Sequence, residues 1–439
     1  MDLSHIDFRT TRHDRYTEYE DMFNCYEDEM LIVRNLERIN PYIAISLPYE
    51  VAMLYSDLAF SYPINAFTKD NPEADKAIDE LIDDNNLDTQ LSETAISLAY
   101  KGDAIFKNYM DKGKSKITTV NPEFYFPKFS PTDKRKLLSE TIAYPYMEGN
   151  KEYLYTETYE PDENGDYWFI SQTYFYKRGT IGKPIGEEIK VNTKLKKSPL
   201  THVPFTRSGN NFWGDSIYKP LTPLFDEFNH RVTEISAILD KHSDPNMIGD
   251  PSFFDENNEL PMGGKGFPVE QGEQKPEYIT WDWSGQWNFK FIEEIIFKAL
   301  QYVSPLAPAL YGLDNASQAS GRALTVKSWR SQCKIKRSHN YWRAALKEIL
   351  FKAQQLEVLN GIKDYTPAIP NIELVINIPI DHLEMSQAEQ LKVQSKVTSI
   401  KSSISRLNPH LTSKQIEEEY LDMINEQAEI DNLLFTRRE

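Results

Sequence analysis

The sequence predicts an α+β fold built in several parts, and three observations carry that reading. Helical periodicity occupies much of the chain to about residue 100, short β-rich segments follow to 206, and helical periodicity returns from 214. A chain of 439 residues is long for a single core, so two or three domains are expected. Hydrophobic residues at 40% and aromatic residues at 12% are ordinary for a chain that buries a core, which argues against global disorder.

Residues 30–60 read as two helical stretches broken at Pro41 and Pro48. An amphipathic helix then starts after Asn71-Pro72 and runs to about Tyr100, with Ile78, Leu81, Leu87, Leu91 and Ile96 among its apolar positions. Asp83-Asp84-Asn85-Asn86 interrupts it, because these side chains compete for backbone hydrogen bonds. Segments 103–110, 115–120, 122–128, 140–146, 152–159, 167–177 and 199–206 are short and rich in Tyr, Phe, Thr, Ile and Val. They predict an antiparallel sheet with hairpins, Asn164-Gly165 being the strongest turn signal. From Ile217 through Leu221, Leu224, Phe228, Val232 and Ile235 to Leu239, apolar residues recur every three or four positions, giving one helix with one stripe. Pro220 and Pro223 place its start, or a kink, near its first turn, and Asp244-Pro245 ends it.

The Gly/Pro-rich stretch 245–283 predicts short strands near Ile248, Phe253-Phe254, Phe267–Val269 and Tyr278–Trp281. A second helix spans about Trp287 to Val303, with Ile292, Ile295, Ile296 and Ala299 on its apolar face, and Pro305 and Pro308 stop it. A loop carrying Gly312, Asn315, Ser317, Gln318 and Ser320 leads into the longest helix, about 321–360, which Asn360-Gly361 caps. Residues 371–378 read as an isolated strand closed by Pro379. Helices follow at about 385–406 and from Thr412, where Thr412 and Gln415 have capping-box spacing.

The net charge of −18 is unevenly spread. Residues 1–100 hold 21 acidic against 7 basic residues, whereas Arg322, Lys327, Arg330, Lys334, Lys336, Arg337, Arg343 and Lys347 lie in a run without an acid. That run is either a helix face matched to acidic neighbours or a contact with nucleic acid. Cys25 and Cys333 form neither a disulfide framework nor a metal-ligand spacing, which fits a reducing compartment. No signal-peptide pattern opens the chain and no apolar run reaches the ~18–20 residues that span a bilayer, so a soluble intracellular product is expected. Phosphate-cradling, zinc and nucleophile-elbow motifs are missing. Gly263-Gly264-Lys265-Gly266 lacks the spacing of a P-loop, and Glu293-Glu294 and Glu417-Glu418-Glu419 read as solvated helix faces. No residue nominates itself as catalytic, and no cofactor or metal is expected.

The order of parts is a mixed N-terminal module, a helix, a small β insert, a returning helix, a Gly/Ser loop, a long helix and a helical tail. It resembles the tailed-bacteriophage portal (head–tail connector) family in its wing–stem–clip–stem–wing–crown arrangement. Val203-Pro204-Phe205, Gly209-Asn210-Asn211 and Gly214-Asp215-Ser216 resemble the strand, turn and approach to the stem, and Leu224–Asn229 continues them as its helix. Ser320-Gly321-Arg322-Ala323-Leu324 is similar to the S-G-x-A-L that opens the family's long helix. Lys101-Gly102-Asp103-Ala104 and Val120-Asn121-Pro122 are similar to its wing sheet, and the tail from Asn408-Pro409 resembles a crown. The likeness covers about residues 30–430 and rests on order and spacing more than on any one motif. The β insert departs from the pattern in being short and without a clear helix.

The resemblance implies a wing over 1–213, a first stem helix over 214–244, a clip over 245–283 and a second stem helix over 284–304. It further implies a channel loop, long helix and wing strand over 305–380 and a helical crown over 381–439. The implied function is a homo-oligomeric ring, usually of twelve subunits, at one capsid vertex of the virion. Double-stranded DNA would pass through it without sequence specificity in packaging and ejection, after assembly in the host cytoplasm. Implied partners are the terminase, the major capsid or scaffolding protein and a head–tail adaptor, with no membrane. Stem packing falls to Leu224, Phe228, Val232, Ile235, Leu239, Ile292, Ile295, Ile296 and Ala299, since a helix with one stripe needs a neighbour to cover it. The channel loop falls to Asn315, Ser317, Gln318 and Ser320, and DNA contact or ring cohesion to Arg322, Lys327, Arg330, Lys334, Lys336 and Arg337. Trp281, Trp283 and Trp287 either anchor the junction of insert and helix or sit in an ordinary core. Two rival classes stay open: another virion or nucleic-acid-binding scaffold protein, and a hydrolytic enzyme needing two carboxylates across a cleft.

Overall fold

The protein is described here from a computed structural model, which places residues 3–25, 43–177, 179–243, 247–248, 277–278, 290–299, 326, 328–377, 382–408, 411 and 413–436. It divides into two compact units. One comprises Met1–Asn24, Leu47–Pro220 and Ser304–Glu439, the other Cys25–Ser46 and Leu221–Val303.

The first unit opens with α1 (Thr11–Phe23), which buries His13, Tyr16, Tyr19 and Met22. Sequence reading missed this helix because its inward stripe is made of amphipathic rings, which weaken a periodicity judged by hydropathy. Helix α2 (Leu47–Phe60) holds Pro48 in its first turn, so this proline starts a helix instead of breaking one: no intrahelical N–H is lost there. Pro41 lies outside the described residues. Strand β1 (Asn65–Phe67) precedes α3 (Pro72–Asp84), whose first turn is capped by Asn71 Oδ1 accepting from Ala74 N at 3.0 Å. The expected interruption is real: Asn86 adopts φ +46° before α4 (Leu87–Lys101) resumes, and Gly102 at φ +88° ends it.

Two antiparallel sheets follow. Strands β2 (Asp103–Asp111), β3 (Lys114–Val120) and β9 (Leu200–Pro204) form one in the order β3-β2-β9. A 3₁₀ turn at Pro122–Phe124, where a strand was expected to start, leads to the second sheet. That sheet is a meander of β4 (Tyr125–Phe129), β5 (Leu137–Glu148), β6 (Lys151–Pro161), β7 (Tyr167–Lys177) and β8 (Thr180–Asn192). Gly165, at φ +81°, makes the turn between β6 and β7. Neighbouring residues on β4 and β5 serve opposite cores. Tyr125 and Ile142 pack with Ile105, Tyr159 and Phe212, whereas Phe126 and Ala143 pack with Leu154, Tyr174 and the N-terminal Leu3, Ile6 and Phe8. Sequence reading missed β8. It is an edge strand, its glycines and Pro184 imitate a loop, and its pairing with β7 is twice irregular, at Ser171/Thr173 and Tyr174/Tyr176.

Helix α7 (Trp329–Leu359) packs on β2, β3 and β9 with Ile335, Trp342, Leu346, Ile349, Leu350 and Ala353 inward. Trp342 Nε1 donates to Tyr55 Oη at 3.2 Å, tying α7 to α2. Lys352 is fully buried, yet all three ammonium protons have acceptors: Leu200 O and Thr201 Oγ1 at 2.9 Å and Glu348 Oε1 at 2.7 Å. The helix ends where Asn360-Gly361 predicted, with Gly361 N and Ile362 N donating to Val358 O and Glu357 O at 3.0 Å and Gly361 at φ +68°. Residues 321–325 and 327 are outside the described residues.

Residue 378 of the expected strand 371–378 lies outside the described residues, and the described part is shorter than its sequence allows. Only β12 (Asn371–Glu373) forms, antiparallel to β1, because β1 offers three residues to pair with. The helix expected over 385–406 is two helices, α8 (His382–Gln394) and α9 (Ile400–Leu407). Lys396 turns the chain at φ +55°, and Ser399 Oγ accepts from Ser402 N at 3.2 Å to start α9. Arg406 Nη2 meets the buried Glu389 carboxylate at 2.7 Å and joins the pair. Helix α10 (Ser413–Thr436) closes the chain; Thr412, and with it the expected capping box, lies outside the described residues.

The second unit contains α5 (Thr222–Ser243), the two-residue strands β10 (Met247–Ile248) and β11 (Glu277–Tyr278), which pair antiparallel, and the π-wound α6 (Phe291–Phe297). Helix α5 begins at Thr222, so Ile217 and Leu221 precede it, and Pro223 sits in its first turn. The expected strands at 253–254 and 267–269 fall outside the described residues.

A buried carboxylate organises the first unit. Asp103, 1% exposed, accepts from Tyr16 Oη of α1 at 2.8 Å, from His202 Nε2 of β9 at 2.6 Å and from the backbone N of Gly214 at 2.7 Å. Arg207 Nη2 donates to His202 Nδ1 at 3.0 Å; since a guanidinium only donates, the imidazole proton sits on Nε2, facing Asp103. Burial lowers the His202 pKa, so the ring is neutral. Arg12 lies with its guanidinium 3.8 Å from the Trp213 ring centroid beside this cluster. The two glycines of the Gly-Asp pairs are sterically required. A Cβ on Gly102 would lie 2.8 Å from Ser216 N, and one on Gly214 would collide with Gly102 O.

Asp103→Ala leaves a phenol, an imidazole N–H and an amide buried without an acceptor, and is expected to cost about 3–5 kcal/mol in urea denaturation. Asp215→Ala, whose partners Ser208 and Lys219 are solvent-accessible, is expected to cost under about 1 kcal/mol. His339 is buried on α7, its ring held at Ala59 O, and burial lowers its pKa to about 4. The unfolded chain takes up this proton near pH 6.5 and the folded one only near 4, so stability falls as pH drops through that window, by up to about 3 kcal/mol. In denaturation curves between pH 7 and 4, His339→Gln should lose about one proton's worth of that slope.

Candidate functional site

The His202–Asp103 pair has the distance of a catalytic dyad but not its chemistry. Its second ring nitrogen is occupied by Arg207, leaving none for a hydroxyl nucleophile, and the ring is buried. The cluster fixes backbone instead. Around it, Phe205 N donates to Gly102 O at 2.8 Å, Asp215 N to Thr206 O at 2.7 Å and Ile217 N to Ala99 O at 2.9 Å. Ser216 Oγ donates to Tyr100 O at 2.6 Å and Tyr218 Oη to Pro48 O. The chain is thus pinned residue by residue up to Tyr218, immediately before α5. Among the described residues no group of His, Cys, Asp or Glu side chains is arranged to hold a metal ion.

Helices α5 and α6 pack on each other within the second unit. On α5, Phe228 is buried and Leu224, Val232 and Ile235 are half-buried; the Leu239 side chain is outside the described set. On α6 and its continuation, Ile296 is buried, Ile292 and Ala299 are half-buried, and Ile295 is 55% exposed. Arg231 pairs with Glu227 and Glu234, each at 2.7 Å, and its guanidinium lies 5.6 Å from the Phe291 ring. Two buried positions escaped sequence reading. Phe225, 1% exposed, follows Leu221 by one helical turn and belongs to the stripe that sequence reading ran through Leu224. Asn229 Oδ1 and Thr233 Oγ1 accept from Ile45 N and Ile43 N, at 3.0 and 2.9 Å, so that α5 holds an extended segment of its own unit. A buried Asn in a helix has no signature in periodicity, which explains the omission.

The basic face is partly visible. Arg330, Lys336 and Arg337 are exposed on the first turns of α7, beside Trp329 at 58% and Val326 at 69% exposure, with Lys336 Nζ 5.7 Å from the Trp329 ring. None of these three cations has an ion pair among the described residues. Lys334 is half-buried, and burial together with Arg330 and Arg337 lowers its pKa. Further along, Arg343 is used internally, donating to Ile372 O at 3.2 Å. Arg322 and Lys327, with Asn315, Ser317, Gln318 and Ser320, lie outside the described residues, as do Trp281, Trp283 and Trp287. Arg330, in the first turn, opposes the helix dipole, so this position gains from an anionic partner. Among the described residues, no helix is long and apolar enough to cross a membrane.

Comparison with known proteins gives the chain its family. Residues 7–431 match the family model described as phage portal protein, SPP1 Gp6-like. Among solved structures the fold is similar to a chain in "Neck of empty GTA particle computed with C6 symmetry", at 10% identity and TM-score 0.49. The match covers 82% of this chain and 89% of that one. A chain in "Neck of native GTA particle computed with C12 symmetry" is similar over the same shares, at 11% identity and TM-score 0.43. No curated protein matches. With nearly its whole length matched, the chain belongs to the SPP1 Gp6-like phage portal protein family, and its role is that of a portal, a component of the virion.

Proposed function

We propose that twelve copies of this chain form a ring at one capsid vertex, through which double-stranded DNA passes during packaging and ejection. The family match over residues 7–431 carries this reading. In it, residues 1–213 are the wing, 214–244 and 284–304 the stem helices, 245–283 the clip, 305–380 the channel loop, long helix and wing strand, and 381–439 the crown. The clip docks the terminase during packaging and a head–tail adaptor later, and the wing meets the major capsid or scaffolding protein. Assembly takes place in the host cytoplasm.

Ring closure needs one surface to bind a different surface of the next copy. The partly uncovered stripe of α5 and α6, with Ile295 exposed, supports a stem completed by neighbours. The cations at the start of α7 support a second contact, to acidic residues of the adjacent subunit; the chain's charge of −18 supplies many. A lining dominated by acids and by Asn315, Ser317, Gln318 and Ser320 would let DNA slide, since each phosphate neutralised adds affinity that slows movement. Arg330, Lys336 and Arg337, without an ion pair among the described residues, also favour a second reading, transient phosphate contact.

Negative-stain microscopy of the purified protein is expected to show rings with a central hole, whereas a stable 51 kDa monomer at high concentration would overturn the ring. Arg330→Glu combined with Arg337→Glu separates the two readings of the basic face. Cohesion predicts lost rings with the circular-dichroism spectrum retained. Phosphate contact predicts intact rings whose DNA retention loses salt dependence, by roughly 0.9 in log–log slope per contact removed.

A further inference from the structure

Beside the β1–β12 ladder lies a cleft of about 890 Å³, bounded on its other side by α9 and α10. Its apolar lining includes Phe67, Ile376, Met385 and Ile416, and its charged lining is Lys69, Lys401 and Arg406 together with Glu373 and Glu417. Lys401 and Arg406 are neutralised by Glu417 and Glu389, at 2.5 and 2.7 Å, but Lys69 has no ion pair among the described residues. The wall next to β12 is unusual. Leu374-Val375-Ile376 has the β-branched composition of a strand and continues β12, yet the ladder stops at Glu373. Among the described residues, the backbones of Val375 and Ile376 form no hydrogen bond, and Val375 is 39% exposed. A two-stranded ladder of three residues is short of the pairing that makes a sheet stable by itself.

We propose that this cleft receives the edge strand β8 of an adjacent copy, which pairs with residues 374–376 and extends the ladder between subunits. Strand β8 supplies what the cleft lacks. It pairs only with β7 among the described residues, it exposes Ile189 at 57% and Val191 at 52%, and it carries Glu187 and Glu188 for Lys69. Joining two open edges removes both from solvent, and because the surfaces differ, the contact propagates in one direction round a ring. The inference rests on the ring proposed above.

The test uses the full chain with Cys25→Ser and Cys333→Ser, to which Val375→Cys and Ile189→Cys are added, treated with a short bis-maleimide. Rings of this variant should yield a ladder of covalent multimers on a denaturing gel, and either cysteine alone should yield none. Rings that form without a ladder overturn the proposal. A parent chain that forms no rings overturns the ring reading instead. Val375→Asp, at a partly exposed position, should keep the circular-dichroism spectrum while the fraction sedimenting as rings falls at least tenfold; an unchanged fraction counts equally against the proposal.

Discussion

The first unit depends on satisfying one buried carboxylate. Asp103 has no route to solvent, so its acceptors must be met by protein donors, and those come from α1, β9 and the segment approaching α5. Each donor in turn constrains its own surroundings. His202 must carry its proton on Nε2, which obliges Arg207 to approach the other nitrogen; Gly214 must bring bare backbone close, which only a residue without a Cβ achieves. The consequence reaches beyond local stability. Elements separated by about a hundred residues in sequence are held to one point, and the chain is fixed where the first unit hands over to the second.

Charge follows a comparable division. Inside the fold, cations are consumed: Lys101 by Glu20 and Glu123, and Lys352 by Glu348 and two oxygens of β9. At the start of α7 the opposite holds, since Arg330, Lys336 and Arg337 face outward beside an exposed tryptophan. Lys101 and Lys352 are matched within the protomer, whereas Arg330, Lys336 and Arg337 have no ion pair among the described residues. In the proposed ring, acidic residues of a neighbouring subunit or the phosphates of DNA would supply a partner for them.

How much could be read in advance followed from what each signal measures. The β-rich middle, the Asn85-Asn86 break and the Asn360-Gly361 cap were legible because turn chemistry and strand composition are local. Helix α1 was not, because Tyr and His form its inward face, nor was β8, because an exposed edge strand has no alternation to detect. The split of 385–406 turns on a single backbone conformation at Lys396, which composition does not encode. The amphipathic pattern of α5 was legible, although shifted past Phe225; whether its stripe packs a stem is part of the proposal. The Asp103 cluster was visible only as two Gly-Asp pairs, at residues 102–103 and 214–215. Their resemblance to a family pattern could be noted, but nothing in the sequence says that the two glycines nearly touch, or that one aspartate is buried while the other pairs with a surface lysine.

The same contrast explains the strand that stopped early. Residues 371–378 satisfy every local criterion for β structure, and among the described residues 371–377 the protomer honours three. Strand formation differs from helix formation in this respect: a helix finds its hydrogen bonds within itself, whereas a strand exists only as far as a partner extends. A local reading that overshoots in a helix points to a misjudged cap. One that overshoots in a strand points to a missing neighbour. In the ring proposed above, the economical source of that neighbour is the next copy of the chain, and the overshoot becomes information about assembly.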